Sequence, residues 1–243
     1  MYKSPLLLTA GDQSLMVQLG DSIELKTNMK VHGLVRAIES QSVEGVLDLI
    51  PGYSSVLINY DPLVISEQKL KERVNSIARK VRGGDLNPKR TIQIPTLYGG
   101  EYGPDLSEVS RYSGLPEEEV IILHSEVSYT VYMIGFSPGF PYLGGMTSRI
   151  ACPRLSTPRT EIPAGSVGIA ESQTGIYPMA SPGGWQLIGR TPIDMFNSDK
   201  IPPSVLDAGD LVKFTPLGSE QEYLEISEMV SNGQYKVPVE ELS

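Results

Sequence analysis

The sequence predicts an α+β N-terminal domain over residues 1–84, followed by a β-barrel or sandwich unit over residues 85–243. Three observations carry this. Two apolar stripes at helical spacing alternate with period-two strand patterns before residue 84. Glycine and proline, 24 and 19 in the chain, cluster after residue 83. Beyond Ser128 the chain becomes a series of short strand-like runs between Gly/Pro/Ser turns, the texture of a barrel or sandwich.

The first domain reads in a ββαββα-like order. "SLMVQL" (14–19) places Leu15, Val17 and Leu19 on one face, as a half-buried strand does. In "TNMKVHGLVRAIES", Val31, Leu34, Val35 and Ile38 form the stripe of an amphipathic helix, with Asn28 as its expected cap. His32 falls beside Arg36 and Glu39, so it is expected to face solvent. "GVLDLI" and "SVLINY" are strands joined by a turn at Pro51-Gly52. Ser66 is positioned to cap a second helix with Leu70, Val74, Ile77 and Val81 as its stripe. Arg79, Lys80 and Arg82 complement its C-terminus, and Gly83-Gly84 ends it. Two helices on one face of an antiparallel sheet would bury both stripes.

The second unit opens with the strand "RTIQIP" and two short helices. Asp105 and Glu108 have capping-box spacing, and Gly114 suits that helix's end. Pro116 suits the first turn of the next helix, which has three glutamates at its positive end. Strands are then expected at "SYTVYMIGF", "SVGIA", "TGIYPM", "GWQLIG", "DLVKFTPL" and "EYLEI".

Bulk properties exclude some function classes. The net charge of −9, with no basic run, disfavours nucleic acid and anionic membranes as partners. The single cysteine, Cys152, precludes an intrachain disulfide. No stretch is apolar for long enough to span a bilayer, and the N-terminal apolar run is too short for a signal peptide. A cytoplasmic location is the expectation. There is no P-loop, no G-x-G-x-x-G after a strand, and no C-x-x-C or H-E-x-x-H, so no metal site is evident.

Residues 135–139, Gly-Phe-Ser-Pro-Gly, spell the letters of a nucleophile elbow, G-x-S-x-G. The chemistry argues against it. An elbow takes an oxyanion-hole N–H from the residue after the serine, and Pro138 has none. "FPYLGG" is a poor helix start, and both histidines precede Ser137. A rigid turn presenting Phe140 and Tyr142 is the better reading; the same rings would serve to plug a barrel end.

Other residues carry two readings. His124 closes a predicted helix, where an imidazolium caps the terminus; general acid/base or ligand-donor work is the alternative. Arg154, Arg159 and Arg190 lie in turn-rich contexts suited to carboxylates or phosphates, or to surface ion pairs. "GSVG" (165–168) and "SPGGW" (181–185) offer backbone N–H groups to an anion, or are ordinary turns. Trp185 reads as core, and Cys152 as buried and inert.

Taken together, "HSEVSYTVYMIGFSPGFPYLGGM", "PRLSTPRTEIPAGSVGIAESQTGIYPMASPGGWQLIGRTP" and "DAGDLVKF" resemble the family of KipI, the 5-oxoprolinase B component (PxpB) and allophanate hydrolase subunit 1. The resemblance covers essentially the whole chain and is densest from His124 to Phe214. It implies a small α/β domain followed by a cyclophilin-like β-barrel domain. It also implies one component of a hydrolase complex, inactive alone, that opens 5-oxo-L-proline to L-glutamate with ATP as co-substrate. The partners implied are the other two 5-oxoprolinase components, C (KipA-type) and A. On that reading His124 is the proton-transfer or ligand-positioning group, Arg154 and Arg190 contact anions, and Phe140 and Tyr142 form a wall. The KipI branch implies an alternative, a binding protein that inhibits autophosphorylation of a sensor histidine kinase. A cyclophilin-like barrel does not by itself imply prolyl isomerase activity.

Overall fold

In the computed structural model, which describes residues 2–81 and 90–241, these two stretches form two separate units. The expected helix stop at Gly83-Gly84 and the expected domain boundary at 84/85 lie outside the described residues.

The first unit runs β1 (Leu6–Thr9), β2 (Ser14–Gln18), α1 (Leu25–Ser40), β3 (Val46–Pro51), β4 (Ser55–Tyr60) and α2 (Glu67–Lys80). The strands form one antiparallel sheet in the order β1-β2-β4-β3. Alternation sends Leu15, Val17, Val56 and Ile58 to one face, where they pack against Val31, Leu34 and Ile38 of α1 and Leu70, Val74 and Ile77 of α2. Each such side chain contributes about 1.5–3 kcal/mol by leaving water. Ser66 caps α2 by accepting from the Lys69 N–H.

Two expectations for α1 are corrected. Asn28 does not cap it, because the helix begins a turn earlier, after Glu24. Instead the Asn28 amide donates to the carbonyls of Gly52 and Tyr53, both at 3.3 Å, tying the helix to the β3–β4 turn. His32 is buried rather than exposed. The buried face of α1 is wider than its apolar stripe because the helix packs on both the sheet and α2.

The second unit contains β5 (Arg90–Tyr98), α3 (Leu106–Ser113), α4 (Glu117–Ser125), β6 (Ser128–Ile134), β7 (Pro141–Gly144), β8 (Arg159–Ile162), β9 (Ser166–Ala170), β10 (Gln173–Ile176), β11 (Ser181–Gly183), β12 (Gln186–Arg190), β13 (Leu211–Pro216), α5 (Glu220–Ser231) and β14 (Val239–Glu241). Seven of these strands close a barrel in the order β5-β12-β9-β10-β7-β6-β13 and back to β5. The closing pair, β13 on β5, is parallel, whereas the others are antiparallel. The other edge of β5 is shared: its first residues pair with β14 and its last with β12. β8 and β11 form a separate two-stranded ribbon. Ile92, Ile94, Tyr129, Val131, Val167, Ile169, Val212 and Phe214 fill the interior.

Local signals in this unit succeed and fail for identifiable reasons. Gly114 ends α3 at φ +70°, a conformation open to glycine at little cost. The capping box does not form: Asp105 is spent on other donors, and Glu108 pairs with Arg111. Pro116 sits just before α4 rather than inside it. "EYLEI" is helical, not extended. Ser219 accepts from the Glu222 N–H, the Glu222 carboxylate accepts from the Gly218 N–H, and Tyr223, Ile226 and Val230 follow helical rather than strand spacing.

The closing pair is fastened by Arg90 and Asp210. The guanidinium donates from Nε and Nη2 to the two carboxylate oxygens at 2.9 and 2.8 Å, and the Asp207 N–H adds a third bond at 2.7 Å. Asp210 is buried, and losing it leaves the partly buried Arg90, among the described residues, only its 3.1 Å ion pair with the exposed Asp207. Asp210→Ala is expected to cost about 2–3 kcal/mol. Urea unfolding of the variant checks this, and an unchanged midpoint would refute the fastening role.

Candidate binding cavity in the barrel unit

The loop from Gly135 to Phe140 joins β6 to β7 as a hairpin. The Gly135 N–H donates to Phe140 O, and the Phe140 N–H donates to Ser137 O. Gly139 has φ +81°, and a Cβ there would lie 2.6 Å from Cβ of Phe196. Phe136 adopts φ +68°, a rare conformation for a bulky side chain. Such strain collects at binding sites.

This geometry removes the elbow reading of Ser137. Two antiparallel strands flank the serine, with no helix following it. Its Oγ is buried with no partner among the described residues, and both ring nitrogens of His124 are committed elsewhere.

Beside the loop lies a cavity of about 350 Å³. That volume is at the lower end of small-molecule sites. Phe140 is the hub of its wall, meeting Phe136, Tyr142, Tyr177 and Trp185 at centroid distances of 5.0 to 5.6 Å. Each such pair adds about 0.5–1.5 kcal/mol beyond its burial. Phe140, Tyr177 and Trp185, with Tyr142 packed against them, form a cluster separate from the barrel core. Gly183 and Gly184 also line the cavity, and a Cβ on Gly183 would approach Tyr177 Oη to 2.5 Å. Arg154 supplies the charge. Its guanidinium lies 5.9 Å from the Trp185 ring centroid and makes no ion pair among the described residues. Burial raises the Tyr142 phenol and pushes Tyr177 up to about 12, with Arg154 opposing both shifts.

A buried carboxylate holds the Trp185 wall in place. Asp105 accepts from Arg159 Nη2 at 2.7 Å and from the Leu187 N–H at 2.6 Å, and Arg159 reaches the Trp185 carbonyl at 3.5 Å.

Three of the five residues singled out from sequence therefore meet here: Phe140, Tyr142 and Arg154. Two do not. Arg190 lies outside the cavity lining, with its guanidinium 5.4 Å from the Tyr102 ring centroid. His124 is fully buried, neither a helix-capping imidazolium nor a lining group. Burial alone lowers it to about 3, so the ring is neutral. Its tautomer follows from its neighbours. The Thr174 hydroxyl donates to Gly168 O at 3.0 Å, so it accepts from His124 Nε2–H at 2.8 Å. Nδ1 then accepts from the Tyr98 hydroxyl at 2.8 Å.

Sequence reasoning missed Phe136 and Tyr177. It placed Trp185 in the core, which is half the truth: the ring is buried and one side lines the cavity. The Gly-Gly step before the chain's one tryptophan was the available signal. Cys152 is buried, and burial raises its thiol to about 11, so it is inert. Among the described residues no cluster of three or more His, Cys, Asp or Glu could hold a metal, and no helix is long and apolar enough to cross a membrane.

The sequence profile of the "Carboxyltransferase domain, subdomain C and D" matches residues 5–206. The chain belongs to this family. Within it, the chain is 44% identical over 227 residues to the B component of 5-oxoprolinase from Bacillus subtilis, covering 88% of this chain and 92% of that protein. The motif-based resemblance is thereby borne out. Among solved structures, a protein of Pyrococcus horikoshii is 47% identical at a TM-score of 0.54, covering 90% of this chain and all of that one. Urea carboxylase of Kluyveromyces lactis, at 24% identity, shares the fold alone: TM-score 0.81 over 98% of this chain and 24% of that one. Carboxyltransferase subdomains C and D thus supply the frame in which the aromatic cavity sits.

The neutral His124 sets a pH dependence. Below pH 6.5 the unfolded chain binds the imidazole proton and the folded chain, down to about pH 3, does not. This contribution is intact above pH 6.5 and falls away as pH drops toward 3. Relative to His124→Phe, the native protein is expected to lose about 2 kcal/mol between pH 7.5 and 5. Chemical denaturation across that range checks it; a pH-independent difference between the two proteins would refute the buried neutral state.

Proposed function

We propose that this chain is the B component of an ATP-dependent 5-oxoprolinase complex, acting in the cytoplasm with a KipA-type C component and a third, A component. The observation that carries the reading is 44% identity to the B component of a 5-oxoprolinase across 92% of that protein. The β-barrel is read as the family's cyclophilin-like domain, used as a binding scaffold. Phe140 and Tyr142 serve as wall and Arg154 as anion contact.

The chemistry explains why several chains and ATP are involved. An unactivated lactam resists water at neutral pH. Transfer of the γ-phosphoryl group of ATP to the lactam oxygen releases ADP and makes the ring carbon electrophilic. One water adds to that carbon, and the C–N bond breaks as the nitrogen takes a proton. A second water releases phosphate from the resulting acyl phosphate, leaving glutamate. Cationic groups stabilise the charge that develops on oxygen. Among its described lining residues the cavity supplies one cation, Arg154, and no general base, which fits a chain that completes a site rather than one that turns over alone.

One observation favours a second reading, inhibition of a sensor histidine kinase. Phe136 is 67% exposed at the cavity, the kind of apolar surface a docking protein presents. Kinase autophosphorylation with saturating chain tests it; undiminished phosphorylation discards it for that kinase.

Reconstitution with the A and C components tests the main reading. ATP-dependent glutamate formation is expected to require this chain. Arg154→Ala is expected to lower the rate at least tenfold, and Ser137→Ala to leave it within about twofold. Full activity without the chain would sink the proposal, and abolition of activity by Ser137→Ala in a folded protein would revive the nucleophile.

A further inference from the structure

We infer that the aromatic cavity binds a small ring bearing one carboxylate, on this chain alone, and that the nucleotide of the reaction is held by another component of the complex. The inference rests on the oxoprolinase reading for the ligand's identity and on the cavity's charge for its class.

The charge count decides between the reactants. Among the described residues, Arg154 is the sole charged side chain lining the cavity, and no carboxylate claims it. The nearby Arg159 is already paired with Asp105. One guanidinium balances one carboxylate through a two-pronged contact. A nucleoside triphosphate would bring several negative charges with nothing to meet the rest, in a chain of net charge −9. Glutamate, the opened product, has a second carboxylate and an ammonium group; desolvating them against Phe140 and Trp185 is unfavourable. The closed lactam ring presents flat apolar faces to those rings instead. The hydroxyl-bearing rings of Tyr142 and Tyr177 line the same cavity. The cavity therefore prefers substrate to product, which favours release after ring opening.

Trp185 lines the cavity and is the chain's one tryptophan, so its emission reports occupancy with no background from other indoles. The full chain would be titrated with 5-oxo-L-proline, the uncharged ring 2-pyrrolidinone, L-glutamate and ATP, with calorimetry run in parallel. A saturable response to 5-oxo-L-proline is expected near 0.1–1 mM, an order-of-magnitude figure for so small a ligand. The other three are expected to bind at least about tenfold more weakly. Arg154→Met, at an exposed position, should reduce 5-oxo-L-proline to the level of 2-pyrrolidinone and leave 2-pyrrolidinone unchanged. Arg154→Lys should recover part of the loss.

Equal affinity for ATP or glutamate would overturn the inference, as would an unaffected Arg154→Met or the absence of saturable binding by both methods. If the isolated chain does not bind but reconstituted activity still requires it, the inference falls and the oxoprolinase assignment stands. If activity does not require the chain, the assignment falls whatever the titration shows.

Discussion

The barrel depends on one imidazole that never meets solvent. His124 arrives from the end of α4 and joins Tyr98 of β5 to Thr174 of β10, whose hydroxyl continues to Gly168 of β9. Each donor in this relay has one acceptor, so none of its buried polar groups is left to pull in water. Phe214 and Tyr129 pack against the same ring, at 4.5 and 5.4 Å between centroids. An imidazole used in this way is unavailable for proton transfer. The interior is a frame.

What the frame carries is a second, smaller cluster of rings. Phe140, Tyr177 and Trp185 pack with Ile162 and Leu187 rather than with the barrel core. Their positions come from short elements: the β6–β7 hairpin, the β8–β11 ribbon and the start of β12. Asp105 ties the start of α3 to that last segment through Arg159 and the Leu187 N–H. The wall is thus held by packing and by hydrogen bonds from neighbouring elements. Arg154, with no ion pair among the described residues, is the charged group on the cavity lining.

Much of the fold was legible because burial imposes periods. Leu15 and Val17 alternate, and Leu70, Val74 and Ile77 recur by turns, and both patterns end up in one core. Failures arose where a side chain found a better partner at long range. Asp105 looks like a helix cap but meets Arg159, 54 residues away. Asn28 looks like a cap but bonds across to the β3–β4 turn. The helix α5 was misread because Tyr223, Leu224 and Ile226 also suit a strand, and the deciding bonds involve Ser219 and Glu222. Of the cavity, Phe140, Tyr142 and Arg154 were visible in sequence, set off by prolines, glycines and turns. Arg190 and His124 were not separable from them, because charge and residue type do not reveal which way a side chain points.

The parallel contact between β5 and β13 joins residues 120 positions apart. Most neighbouring strands of the barrel can zip up locally, but this seam cannot. During synthesis, β5 emerges before any of its partners, and its parallel flank stays unpaired until residue 216 has cleared the ribosome. For that interval the nascent chain exposes Ile92 and Ile94 on an open edge. Slow, non-local closure, rather than any weakness of the finished ladder, is the burden this topology places on folding.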